Sequence, residues 1–138
     1  IGAELVTKAA PDGHTLLSTT SSYPGTVAVR AKLPFDPANA LVPVAMIARA
    51  PIVLAVHPSM PAKTVKEFIA LAKKRPLNYS SSGTGGNNHI AMELFSQAAG
   101  IRMTHVPYKG IAPGVVALIS GEVDAIIASS PRLKTRSR

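Results

Sequence analysis

Apolar residues recur along this chain in two alternating patterns. Short β-branched runs at 52–57, 103–106 and 123–128 are separated by stretches in which apolar positions return every three or four residues. The first helical stretch has the clearest local signal. Thr64 and Glu67 have capping-box spacing; Val65, Phe68, Ile69 and Ala72 form a stripe, and Lys73-Lys74-Arg75 suit the negative helix end before Pro76. A short strand signal then runs through Asn78-Tyr79-Ser80 into Ser81-Ser82-Gly83-Thr84-Gly85-Gly86-Asn87-Asn88-His89, and a second helix follows at once. Its inner face is predicted at Ile90, Leu94, Phe95 and Ala98, with Gly100 as its left-handed stop. A third helix opens near Pro113, ends at Gly121, and is predicted to turn Val115, Val116, Leu118 and Ile119 to the core.

Before residue 50 the pattern is less regular. Residues 2–10 read as a helix stopped by Pro11-Asp12-Gly13, and 15–20 as a β-rich run leading into the polar cluster Thr19-Thr20-Ser21-Ser22-Tyr23-Pro24-Gly25-Thr26. A helical turn is expected at Val27-Ala28-Val29-Arg30. The apolar run at 41–48 reads as a strand, limited by Pro43 to an edge or short piece. From Ile52 onward, strands and helices alternate with short connections. That order implies an α/β fold with a mainly parallel sheet flanked by helices, and ligands bound beyond the carboxyl ends of strands. The 80–89 loop lies at such an end.

The chemistry of that loop is limited. A helix start carries unpaired N–H donors and a partial positive charge, so glycine amides and Ser/Thr hydroxyls there can hold a small anion. The same residues serve equally well as a turn with a helix cap and no ligand. No lysine follows the glycines as a phosphate-binding loop requires, and no acidic residue stands about twenty positions on to hold a ribose. The loop serines have no Gly-x-Ser-x-Gly setting, and His14, His57, His89 and His105 show no metal spacing. No catalytic residue, metal ligand or cofactor is nominated.

Composition narrows the classes further. The chain has 138 residues, 46% of them hydrophobic, and no cysteine, which excludes disulfides and thiolate metal sites. The net charge of +8 falls to +4 without Arg132, Lys134, Arg136 and Arg138. Three Tyr, three Phe and no Trp supply a poor stacking platform, so nucleic acid is not expected as a partner. No apolar run reaches the roughly 20 residues of a membrane-spanning helix. The first residues, Ile1-Gly2-Ala3-Glu4, lack the pattern of a signal peptide.

Several motifs, taken together, resemble the Bug (TctC-like) family, the extracytoplasmic solute receptors of tripartite tricarboxylate transporters. They are Pro11-Asp12-Gly13-His14-Thr15-Leu16-Leu17, Leu33-Pro34-Phe35-Asp36, Val53-Leu54-Ala55-Val56-His57-Pro58-Ser59, Leu77-Asn78-Tyr79-Ser80-Ser81-Ser82-Gly83, Asn88-His89-Ile90-Ala91 and His105-Val106-Pro107-Tyr108-Lys109-Gly110. The resemblance implies a clamshell of the periplasmic type II binding-protein class that takes a small carboxylate and delivers it to a membrane permease. It implies periplasmic location, and no enzyme activity. It makes Ser81, Ser82, Gly83, Thr84, Gly86, Asn87, Asn88 and His89 one jaw of the clamp, with Thr20, Ser21 and Ser22 contributed from the other domain.

The chain departs from the family in three ways. Gly85-Gly86-Asn87-Asn88-His89 replaces a common Gly-Thr-Ser-Asn-His, and Ala128 stands where an Asp near the cleft is usual. The third is extent: the resemblance implies a truncated receptor with an incomplete first domain. Residues 1–50 are then a remnant of domain 1, 51–131 the α/β ligand-binding lobe, and 132–138 a basic tail expected to be disordered. Such a piece would expose strand edges and is expected to self-associate.

Overall fold

A computed structural model of the chain describes residues 2–28 and 32–129, without the side chains of Ser22 and Thr26. It divides into two units, Ile1–Ala48 and Arg49–Arg138. The first unit carries two short helices, α1 (Gly2–Thr7) and α2 (Ser22–Ala28). Its remaining order comes from side chains folding turns. Asp12 Oδ1 accepts from the His14 amide at 3.0 Å, and Asp36 accepts from Ala38 N at 2.9 Å and Asn39 Nδ2 at 2.7 Å. Two sequence expectations fail here: neither 15–20 nor 41–48 forms a strand. Both runs have β-prone residues, but strand preference is realised only against a partner strand. Val29 and Arg30 of the expected helical turn, and the basic tail at 132–138, lie outside the described residues.

The second unit is a four-stranded sheet with helices on both faces. Its elements in chain order are β1 (Ile52–Val56), α3 (Val65–Lys74), β2 (Leu77–Ser81), α4 (Asn87–Ala99), β3 (Met103–Pro107), α5 (Ile111–Ser120) and β4 (Ala125–Ser129). The strands lie in the order β1-β4-β2-β3. β2 runs parallel to β3 and β4, whereas β1 pairs antiparallel with β4, Ile52 opposite Ser129. The sheet is therefore mixed, with one antiparallel edge strand. Hydrophobic periodicity identifies a strand but carries no information on its direction.

Alternation along the strands builds two cores. Leu77, Tyr79, Ala125 and Ile127 face one side, where they meet Phe68 and Ala72 of α3, Met92 of α4 and Ile101. Ile126 faces the other, with Ala117 and Leu118 of α5 and Val123. The Thr64–Glu67 capping box forms in full: Glu67 N donates to Thr64 Oγ1 at 3.2 Å and Thr64 N to Glu67 Oε2 at 3.1 Å. α4 and α5 end on left-handed Gly100 (φ 62°) and Gly121 (φ 79°).

The buried faces of α4 and α5 agree with those predicted at Phe95, Val115 and Leu118 and differ at Leu94, Val116 and Ile119. On α4 the interior residues are Met92 and Ser96, with Ala91, Phe95 and Ala99 packed beside them, while Leu94 is 60% exposed. On α5 they are Gly114, Ala117 and Leu118, with Val116 and Ile119 64% and 71% exposed. Val65 also faces out. Apolar residues occupy more than one helical stripe, and contact with the sheet decides which is buried: Met92 and Ser96 on α4, and Gly114, Ala117 and Leu118 on α5. Substitution measures the difference. In urea denaturation, Met92→Ala is expected to cost about 2–5 kcal/mol, and Leu94→Ala no more than about 0.5 kcal/mol. Equal costs would contradict this packing.

Candidate functional site

The 82–86 turn connects the carboxyl end of β2 to α4, and its shape is set from inside. Ser81 is fully buried; its Oγ accepts from Gly83 N at 3.1 Å, lies 3.2 Å from the Gly83 carbonyl, and sits 2.6 Å from His105 Nε2. Tyr108 N donates to the Ser81 carbonyl at 3.1 Å, tying this end of β2 to the exit of β3. The chain then turns through Gly83 (φ 122°) and Gly85 (φ 77°), conformations that suit glycine. Gly86 is required for space instead: an added Cβ would lie 2.9 Å from Ser82 Oγ and 3.1 Å from the Gly83 carbonyl.

Two further bonds lock the turn to the helix it opens. Ser82 Oγ donates to Asn88 Oδ1 at 3.1 Å, and Asn88 Nδ2 donates to the Ile127 carbonyl on β4. Gly85 N donates to His89 Nδ1 at 3.1 Å. Gly86 caps α4 without a side-chain hydrogen bond, and the first helical bond is Ile90 N to the Gly86 carbonyl at 3.1 Å. The amides of Asn87, Asn88 and His89 consequently have no acceptor among the described residues. They point along the helix axis toward its start, where the partial positive charge gathers. The Thr84 hydroxyl and the Asn87 side-chain amide also make no hydrogen bond among the described residues, and Thr84 is exposed.

Beneath the turn lies a group of rings that sequence spacing did not reveal. His89 and His105 stack with centroids 4.0 Å apart, and Tyr79 stacks on His105 at 5.0 Å. Tyr79 Oη donates to Glu93 Oε1 at 2.5 Å. Burial, and then the bond to Glu93, pushes the Tyr79 phenol pKa up. Burial, followed by the neighbouring His89, pushes the His105 pKa below its ordinary value, with Glu93 acting in the opposite sense. The signal for this cluster was the parallel pairing of Tyr79 with His105, which places both side chains and Ser81 on the α4 face. Only the strand register brings His89 and His105 together.

The Ser81–His105 contact resembles part of a nucleophilic pair, but its surroundings do not suit catalysis. Ser81 has no exposed surface and its oxygen already receives an amide hydrogen, so no substrate carbon can reach it. No carboxylate orients His105 among the described residues. The pair is a staple. Thr20 and Ser21 are exposed just before α2, where the Thr20 carbonyl accepts from Tyr23 N at 3.0 Å. They belong to the first unit; the Ser22 side chain lies outside the described residues. A separate groove of about 560 Å³, lined by Lys73, Lys74, Arg75 and Arg102, opens where β2 and β3 begin, at the opposite end of these strands from the turn. Its cations stand at the carboxyl end of α3, and Arg75 is committed to Asp124 at 3.0 Å.

Comparison with known proteins gives consistent matches. The family model described as "Tripartite tricarboxylate transporter family receptor" (TctC) matches residues 1–138. Protein BugT of Bordetella pertussis is 35% identical over 135 residues, covering 95% of this chain and 41% of that protein. A UPF0065 protein from the tcbD-tcbE intergenic region of Pseudomonas sp. strain P51 is 33% identical over 131 residues, covering 94% and 39%. The chain thus spans about 40% of the length of these relatives. Among solved structures, R. palustris Rpa4515 with adipate superposes with a TM-score of 0.80 at 36% identity, over 96% of this chain and 45% of that one. MatC from Rhodopseudomonas palustris with bound malate gives 0.73 at 29% identity, over 93% and 45%.

The lowered His105 pKa has a definite consequence for stability. The unfolded chain binds a proton on this residue more readily than the folded chain does. Stability is therefore complete above the ordinary imidazole value of about 6.5 and declines as pH falls from there through the lower folded value. Chemical denaturation of the chain and of His105→Gln between pH 8 and 4 tests this. The expected result is a shallower acid loss in the variant; identical slopes would remove His105 as the source.

Proposed function

The chain belongs to the TctC family of tripartite tricarboxylate transporter receptors, and from that premise we propose that it is a carboxylate-capturing lobe of a periplasmic solute-binding protein. The observation that carries this reading is the set of unpaired amides of Asn87, Asn88 and His89 beyond the carboxyl end of β2. A carboxylate set there would accept charge-assisted hydrogen bonds from neutral donors, and the Thr84 hydroxyl and Asn87 side-chain amide are further donors of the same loop. Ser81, Ser82, Gly83, Gly85 and Gly86 shape the cradle, while Asn88 both shapes it and supplies a donor. The adipate and malate found with related proteins support a small dicarboxylate as ligand. A membrane permease is the proposed recipient, and no catalysis is proposed.

Titration calorimetry of the chain against adipate, malate and their neutral diamides tests the reading. Saturable binding of the acids alone is expected. Gly86→Ala should weaken it about tenfold, equivalent to about 1.4 kcal/mol, because the added methyl displaces Ser82 from Asn88. Absence of heat and of any thermal shift with either acid would refute the reading.

A second reading rests on a different observation. Val42 and Ile47 are each 84% exposed, and Val44 and Met46 are nearly as open, just ahead of the edge strand β1. Such a run suits a lobe that associates with copies of itself rather than capturing a solute. Light scattering after gel filtration is then expected to give a dimer or larger species, with Val44→Glu shifting it toward monomer. A monodisperse monomer at all concentrations would end this reading.

A further inference from the structure

Two of the loop's glycine amides are held by the histidine pair. Gly85 N donates directly to His89 Nδ1, which places the proton of neutral His89 on Nε2. Gly83 N donates to Ser81 Oγ, which in turn contacts His105 Nε2 at 2.6 Å. The two rings, one bonded to the Gly85 amide and the other to the serine that holds the Gly83 amide, stack on each other at 4.0 Å. His89 also contributes its own backbone amide to the unpaired set at the start of α4. The side chain that fixes the turn and the amide offered to an anion thus belong to one residue.

We propose that His89 and His105 are the positioning residues of the carboxylate-binding loop, and that protonating the pair releases the loop so that anion capture is lost in acid; this rests on the carboxylate reading above. The mechanism follows from the donor inventory. A protonated His89 carries hydrogen on Nδ1 and presents a donor to the Gly85 donor, so that bond is lost. A second proton on His105 sets two cations face to face within a partly buried stack. The groups facing the pair are Tyr79 and Ser81 from β2 and Glu93 from the next turn of α4. β4 meets the helix start through the Ile127 carbonyl, which accepts from Asn88 Nδ2. Glu93 is the one charged group among these described residues; burial and then the second ring oppose the His105 imidazolium, and Glu93 favours it. The accepting Nδ1 of His89 is turned to the loop's own Gly85 amide, so protonation there acts on the loop before it acts on a ligand.

The test follows the Gly85 amide by NMR on the labelled 138-residue chain between pH 8 and 5, alongside calorimetric titration of adipate and malate over the same range. The expected result is loss of Gly85 exchange protection, corrected for intrinsic pH dependence, in step with histidine ring titration, while the Met92 amide stays protected. Affinity should weaken about tenfold over the interval in which imidazoles titrate. His89→Asn supplies an oxygen near the Nδ1 position without titrating; with His105→Gln it should remove the histidine-linked pH dependence of Gly85 protection and of affinity, whatever the affinity at pH 8. A Gly85 amide indifferent to the titration, affinity that rises in acid, or the same acid loss in the double variant would each overturn the proposal. If the wild-type chain binds neither acid at pH 8, the carboxylate reading falls, and the Gly85 amide alone decides whether the pair positions the loop.

Discussion

The parallel register of β2 on β3 is the constraint from which the site follows. Setting Tyr79 opposite His105 and Ser81 opposite Pro107 places a phenol, a hydroxyl and an imidazole on one face of the sheet, under the start of α4. It also ends both strands at the same level, so that the Tyr108 amide can reach back to the Ser81 carbonyl. A register slip of one residue would turn Ser80 toward α4 and Ser81 toward α5. The turn would then lose the oxygen that holds Gly83.

The opposite face of β2 shows the same dependence on small residues. Ser80 is buried and donates to the Gly114 carbonyl on α5 at 3.0 Å. That approach requires Gly114, since a Cβ there would stand 3.2 Å from Ser80 Oγ. Consecutive serines at the end of a buried strand thus anchor different elements through opposite faces, Ser80 the helix α5 and Ser81 the 82–86 turn and β3. Each hydroxyl finds a backbone partner, as burial of a polar group demands. The carboxyl end of β2 is consequently held on both faces by the protein's own hydrogen bonds.

The amino-acid sequence made local features legible and long-range ones obscure. Thr64 and Glu67 announced a capped helix because both partners lie within one turn, and Gly100 and Gly121 announced helix stops through backbone freedom. The turn at 82–86 was legible as a strand-to-helix junction for the same reason. Strand direction was not, and β1 proved antiparallel. Nor was the burial stripe of α4: Leu94 outranks Ser96 in hydrophobicity, yet the close contact admits the serine. The runs at 15–20 and 41–48 have strand-like composition without a partner to pair with. His105 stayed hidden because its meaning depends on Ser81 and His89, which are 24 and 16 residues away.

The division of labour inside the loop bears on how such a lobe would work. Ser81, Ser82, Asn88 and His89 spend their side chains on the loop itself, leaving backbone amides as the principal donors to anything outside. Donors held in advance lose little conformational freedom when a ligand binds, so a modest number suffices. They also carry no formal charge, so an anion that docks there is held by directed hydrogen bonds rather than by a neutralising cation. A receptor that must both capture a carboxylate and give it up gains from that arrangement, because disturbing the loop's internal bonds misaligns every donor together. If the proposed reading holds, the control point would lie beneath the turn, in the contacts of Ser81, His89 and His105, rather than in any residue that touches the ligand with its side chain.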